Sequence, residues 1–177
     1  MRYRRVDTKG GTYFFTVNLA QRQLRLLVEH VAVLRTAVKE VKGRRPFHID
    51  AFVVLADHLR AIWTLPEGDA DFAMRWMLIK AGFSRHIAKG ERRSASRIGK
   101  GERGICQRRY WEHMIRDAHD YERHVDYVHY NPVKHGHVNR AAEWPHSSIH
   151  RYIAAGTLGC DWGAETNGGD ESGYGER

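Results

Sequence analysis

The chain has 177 residues, 42% of them hydrophobic and 11% aromatic, enough for one folded domain with its own core. It carries a net charge of +8 and only two cysteines, Cys106 and Cys160, which excludes a disulfide scaffold and a four-thiolate zinc site. No apolar run approaches the roughly 20 residues that cross a bilayer, and Met1-Arg-Tyr-Arg-Arg5 lacks the apolar segment of a secretory signal, so a cytoplasmic protein with no membrane partner is expected.

In chain order, Gly11–Leu19 follows paired glycines with aromatic and β-branched residues and predicts a strand. Leu24–Lys42 places Leu27, Val31, Leu34 and Val38 at helical intervals with Gly43 just beyond, an amphipathic helix and its stop. Phe47–Leu55 and Arg60–Leu65 are apolar, partly alternating runs that predict two strands joined tightly through Ala56 to Leu59, the second starting at Arg60 or at His58 and closed by Pro66. Asp69–Ala88 predicts a helix capped by Asp69, with Phe72, Trp76, Ile79 and Phe83 as its core stripe.

From Arg85 to Arg109 the chain gathers Arg85, Lys89, Arg92, Arg93, Arg97, Lys100, Arg103, Arg108 and Arg109 against Glu91 and Glu102, with Ser and Gly between them. A basic loop of this kind suits a phosphate backbone, and Arg2, Arg4, Arg5, Arg44 and Arg45 add to it. Gln107–Arg116 predicts a last strand, and Asp117 opens a helix that Pro132 stops and Gly136 releases. A short helix to Ala155 follows Trp144-Pro-His-Ser-Ser148. Residues 154–177 hold five acidic side chains against Arg177, a local charge of −4, so the rest of the chain is +12. One domain over 1–156 and a flexible acidic, Gly-rich tail over 157–177 are expected.

The order strand, helix, strand, strand, helix, strand, helix predicts an α+β protein: a ferredoxin-like antiparallel sheet with helices packed mainly on one face. On the last helix, Tyr127 and Asn131 lie four residues apart and share a face, which sets a phenol beside a metal-ligating amide oxygen. That pairing is suited to attack on a DNA phosphodiester with the broken end held covalently.

Six segments then carry a resemblance: Gly10–Asn18, Phe47–His58, Ile62–Pro66, Asp69–Phe72, Arg109–His113 and His124–Gly136. In this order, across about residues 3–152, they resemble the REP-associated tyrosine transposases, relatives of the single-tyrosine HUH insertion-sequence transposases. The resemblance implies a DNA-binding enzyme that cleaves and rejoins single-stranded DNA at palindromic hairpins with a divalent metal, Mg²⁺ or Mn²⁺, acting as a monomer or a homodimer. It implies Tyr127 as the nucleophile that keeps a 5′-phosphotyrosine, and His58 and Asn131 as metal ligands.

The chain departs from the family where the second histidine of a His-hydrophobic-His pair should stand, reading His58-Leu59-Arg60. A guanidinium has no acceptor and stays protonated, so Arg60 is not a ligand. Two readings follow: another group completes the site, with His48 or His129 as candidates, or the chain binds hairpins with weakened or lost cleavage while Arg60 holds a phosphate. The expected DNA contacts are Tyr3, Arg4 and Arg5, Arg60, the loop residues Arg92, Arg93, Arg97, Lys100, Arg108 and Arg109, Trp111 as a stacking platform, and Lys134.

Overall fold

A computed structural model describes residues 8–164. Strands β1 (Thr12–Asn18), β2 (His48–Val54), β3 (His58–Thr64) and β4 (Trp111–Met114) form one sheet in the order β2-β3-β1-β4, every neighbour antiparallel. Helices α1 (Leu26–Glu29) and α2 (Val31–Arg44) link β1 to β2, and α3 (Phe72–Arg85) and the short α4 (Ala95–Gly99) link β3 to β4. Then come α5 (Ala118–Lys134), a 3-10 turn at Ala141–Glu143 and α6 (Ile149–Ala154). This is the ferredoxin-like α+β arrangement that the pattern of elements predicts.

Strand alternation divides the core in two. Tyr13, Phe15, Val17, Leu59, Ala61 and Trp63 face α2 and α3, where Leu34, Val38, Phe72, Trp76, Ile79 and Phe83 meet them. Trp63 stacks on Trp76 with ring centres 4.1 Å apart. On the other side Phe14, Ala51, Val53 and Ile62 pack against Val125 and Val128 of α5. The core helices α2 and α3 thus share one face, and α5 closes the opposite one. The outer edge of β2 is covered by the chain at 146–148, where Val54 N–H donates to the His146 carbonyl and Ser148 N–H to that of Phe52.

Several boundaries differ from expectation, each for a local reason. The first helix breaks at His30 into α1 and α2, and α1 is tied to the β2–β3 hairpin by the buried Leu27, whose N–H donates to the Ala56 carbonyl. Asp71, not Asp69, caps α3 by accepting from Met74 N–H at 3.0 Å. Asp69 instead grips the buried Arg75 guanidinium with both carboxylate oxygens. Helix α3 also ends at Arg85 rather than Ala88, and the Arg103 guanidinium takes the carbonyls of Ser84, Ile87 and Ala88. The last strand shrinks to four residues. Cys106 still bridges Leu19, but Trp111 faces Thr16, so the chain between bulges out of register.

Pro132 does not stop α5, which continues to Lys134. The end falls at Gly136, as expected. Its φ of 68° is easy only for glycine, and the turn is sealed by Gly136 N–H to Val133 O and His137 N–H to Pro132 O. Leu158 and Trp162, inside the stretch expected to be a tail from 157, pack against a third cluster of Val133, Ala141 and Ile149. Among the described residues no helix is long and apolar enough to cross a membrane.

Candidate active site

Because alternate residues of β3 share a face, His58 and Arg60 both point toward α5, and the helix brings Tyr127 and Asn131 to meet them. His58 is buried, and its Nδ1 donates to Asp57 Oδ1 at 2.8 Å. Burial lowers its pKa; Asp57 pulls the other way, and the Arg60 charge adds to the lowering, so the ring is neutral at pH 7. With the proton on Nδ1, Nε2 presents a lone pair.

Opposite it, 3.2 Å away, lies Oδ1 of the fully buried Asn131. Two lone-pair atoms therefore face each other, while Asn131 Nδ2 finds no hydrogen-bond partner among the described residues. A cation between Nε2 and Oδ1 would satisfy both, and so would a turned-over amide. These two donors fit a metal. The third place in the family's pattern does not, because it is filled by the Arg60 guanidinium, buried and donating from Nη1 to Thr16 Oγ1 at 3.1 Å.

Neither histidine considered as a replacement reaches the site. His48 is exposed at the far end of the sheet, opposite Thr64, and pairs with Asp50. His129 is buried on another side of α5, where its Nε2 meets Ser148 Oγ at 2.8 Å and its ring meets Tyr152. The histidine that does stand beside His58 is His135, one turn after Asn131, with ring centres 5.1 Å apart and planes at 65°. Its outer side is exposed; desolvation of the inner side, followed by repulsion from His58 and Arg60, pushes its pKa down to about 4. The i, i+4 spacing from Asn131 was a signal available in the sequence.

Tyr127 is half-buried, its ring 6.0 Å from that of Phe14. Arg60 Cζ lies 4.5 Å and Lys134 Nζ 5.0 Å from the centre of the phenol ring, so two cations flank the hydroxyl-bearing side chain. Trp111 is 49% exposed on this same face, edge-on to Phe14, so it is a surface platform rather than a core residue. A further donor group, His113, Asp120 and His124, has its ligand atoms within 4.8 Å of one another. There Asp120 ties β4 to the first turn of α5 by accepting from His113 Nε2 and Arg116 N–H.

The basic loop lies elsewhere. Arg103 is bound to the end of α3 and to Glu91, and Arg108 to Glu102 and Ser96. Together with Arg97 and Lys80 they line a cleft of 640 Å³ beside α3, on the sheet face away from Tyr127. Arg92, Arg93, Lys100 and Arg109 are exposed. Tyr3, Arg4 and Arg5 lie outside the described residues.

Sheet and outer helix together define a ferredoxin-like protein whose helix-borne tyrosine adjoins a histidine–asparagine pair. No family model matches the chain. An Escherichia coli (strain K12) REP-associated tyrosine transposase is 47% identical over 163 residues, 92% of this chain and 91% of that protein. A Haemophilus influenzae protein of the same family name is 43% identical over 162 residues. A solved REP-associated tyrosine transposase bound to a REP hairpin superposes with a TM-score of 0.79 at 44% identity, covering 96% of this chain and 97% of its own. The chain belongs to the REP-associated tyrosine transposases, DNA-binding proteins.

Proposed function

We propose that this chain binds a DNA hairpin with its flanking single strand, and cleaves and rejoins that strand through Tyr127. The observation that carries this reading is the ring of Tyr127 with Arg60 and Lys134 within 5.0 Å of its centre, on the helix face that also presents Asn131 to His58. A phosphodiester drawn between the two cations meets the one nucleophile of the site. Tyr127 Oη attacks the phosphorus and gives its proton to solvent. The bond from phosphorus to the 3′ oxygen breaks, that oxygen is protonated to a 3′-hydroxyl, and the 5′ phosphate stays on the tyrosine. Attack by a 3′-hydroxyl reverses each step and frees Tyr127. Arg60 and Lys134 stabilise the charge on the phosphoryl oxygens, while Trp111 offers its exposed ring to an unpaired base.

The test is incubation of the full chain with a labelled hairpin carrying a single-stranded flank, in the presence of Mn²⁺, followed by denaturing electrophoresis. The parent chain forms a covalent adduct, and Tyr127→Phe, which keeps the ring contacts, forms none. An adduct of equal yield with Tyr127→Phe would refute the assignment of the nucleophile.

A second reading, a hairpin binder without turnover, draws on one observation: Arg60 is buried where the family pattern puts a second imidazole. It expects no adduct from the parent chain and, in Arg60→His, a gain of cleavage with hairpin affinity similar or slightly lower, because one phosphate-pairing charge is lost.

A further inference from the structure

The departure at position 60 leaves a site with two donors, and the ring nearest to them belongs to neither strand of the hairpin. The structure assigns His135 as the second imidazole of a divalent transition-metal site completed by His58 Nε2 and Asn131 Oδ1. The geometry argues for it in three ways. With metal–nitrogen bonds of about 2.0–2.1 Å, two imidazoles bound side by side at tetrahedral or octahedral angles hold their ring centres roughly 4.5–5.5 Å apart. The rings of His58 and His135 are 5.1 Å apart and steeply inclined, not stacked.

Next, Asn131 and His135 are one turn apart at the C-terminal end of α5, so a single helix delivers both donors to the side where β3 delivers His58. The backbone holds that turn, because His135 N–H donates to the Asn131 carbonyl. Finally, His58 Nε2 and Asn131 Oδ1, 3.2 Å apart, have the separation of neighbouring ligands on one ion. Asp57 stands behind His58 as the carboxylate that fixes a ligating histidine.

Two imidazoles and one amide oxygen form a softer set than the carboxylates and waters that hold Mg²⁺, so the site favours Co²⁺, Zn²⁺ or Mn²⁺ over Mg²⁺. The exposed side of His135 leaves the remaining coordination positions open to water or to a phosphate oxygen. Arg60, near both imidazoles, weakens the site without occupying a ligand's role. The inference deepens the strand-transfer reading of the same site, but metal uptake is measurable without DNA, so either can fail alone.

The experiment titrates Co²⁺ into the metal-stripped full-length chain, following d–d absorption and heat. One Co²⁺ binds per chain with the spectrum of mixed nitrogen and oxygen ligation. His135→Ala weakens binding at least tenfold, as does His58→Ala, while His113→Ala leaves it unchanged. His135 lies at an exposed helix end, and circular dichroism of the metal-free variant shows whether its fold is intact. A His135→Ala chain that is folded and binds Co²⁺ like the parent overturns the assignment. So does a parent chain that takes up no Co²⁺, or binding that is lost with His113→Ala, which would put the ion in the His113–Asp120–His124 group.

Discussion

The Asp57–His58 contact governs which nitrogen of His58 is available, and Asp57→Ala isolates it. In the parent chain the Nδ1 proton is held by a carboxylate at 2.8 Å. A hydrogen bond to a charged acceptor contributes about 1.5–3 kcal/mol, and the competing neutral bond, Nε2–H to Asn131 Oδ1, about 1 kcal/mol. The difference, about 0.5–2 kcal/mol, keeps Nε2 bare in most molecules, a preference of roughly two- to thirtyfold. Without Asp57 the balance reverses: the ring moves its proton to Nε2, donates across the 3.2 Å gap to Asn131, and the donor atom is lost. Carboxylates behind ligating histidines are typically worth 10–100-fold in metal affinity, and that is the expected loss of Co²⁺ affinity in Asp57→Ala. Arg22→Ala is the control. Arg22 holds the other Asp57 oxygen at 2.7 Å but is 56% exposed, so its removal changes affinity little. The direct assay is nitrogen-15 NMR of the histidine rings, which distinguishes the two tautomers without metal, paired with the Co²⁺ titration. A parent chain in which His58 already carries its proton on Nε2 would refute the reasoning, as would an Asp57→Ala affinity within threefold of the parent.

Two further outcomes are expected. Arg75, fully buried in α3, donates to Asp69 and to the carbonyls of Arg45, Pro46 and Asp71, so Arg75→Met strips several acceptors at once. It should cost about 3–5 kcal/mol in urea unfolding, and yet leave hairpin affinity unchanged well below the melting range, since α3 and Tyr127 are on opposite faces of the sheet; a loss under about 1 kcal/mol would contradict the role given to this guanidinium. Hairpin binding, measured by fluorescence anisotropy, should weaken roughly tenfold or more from low to near-physiological salt because several phosphates are neutralised by a body of charge +12, and a salt-independent affinity would show that binding does not rest on phosphate neutralisation.

Local regularities in the sequence sufficed for much of the molecule. The stripe Phe72, Trp76, Ile79 and Phe83 marked α3, the aromatic and β-branched run around Phe14 marked a strand, and Gly136 marked the end of α5, because residue type, periodicity and a positive φ are properties of neighbours in the chain. Tyr127 and Asn131 were legible for the same reason: four residues on a helix make one face. What needed the tertiary structure was every feature that depends on two distant segments meeting. Asp69 reads as a cap until Arg75 is seen to claim it, and Pro132 reads as a stop until the end of α5 is seen packed through Pro132 and Val133. His48 and His129 read as possible ligands as well as any other histidine, and only the docking of α5 on β3 shows His135, 77 positions along the chain from His58, standing 5.1 Å from it. A ligand set is a relation between lone pairs in space, and the sequence determines it only through the packing that brings strand and helix together.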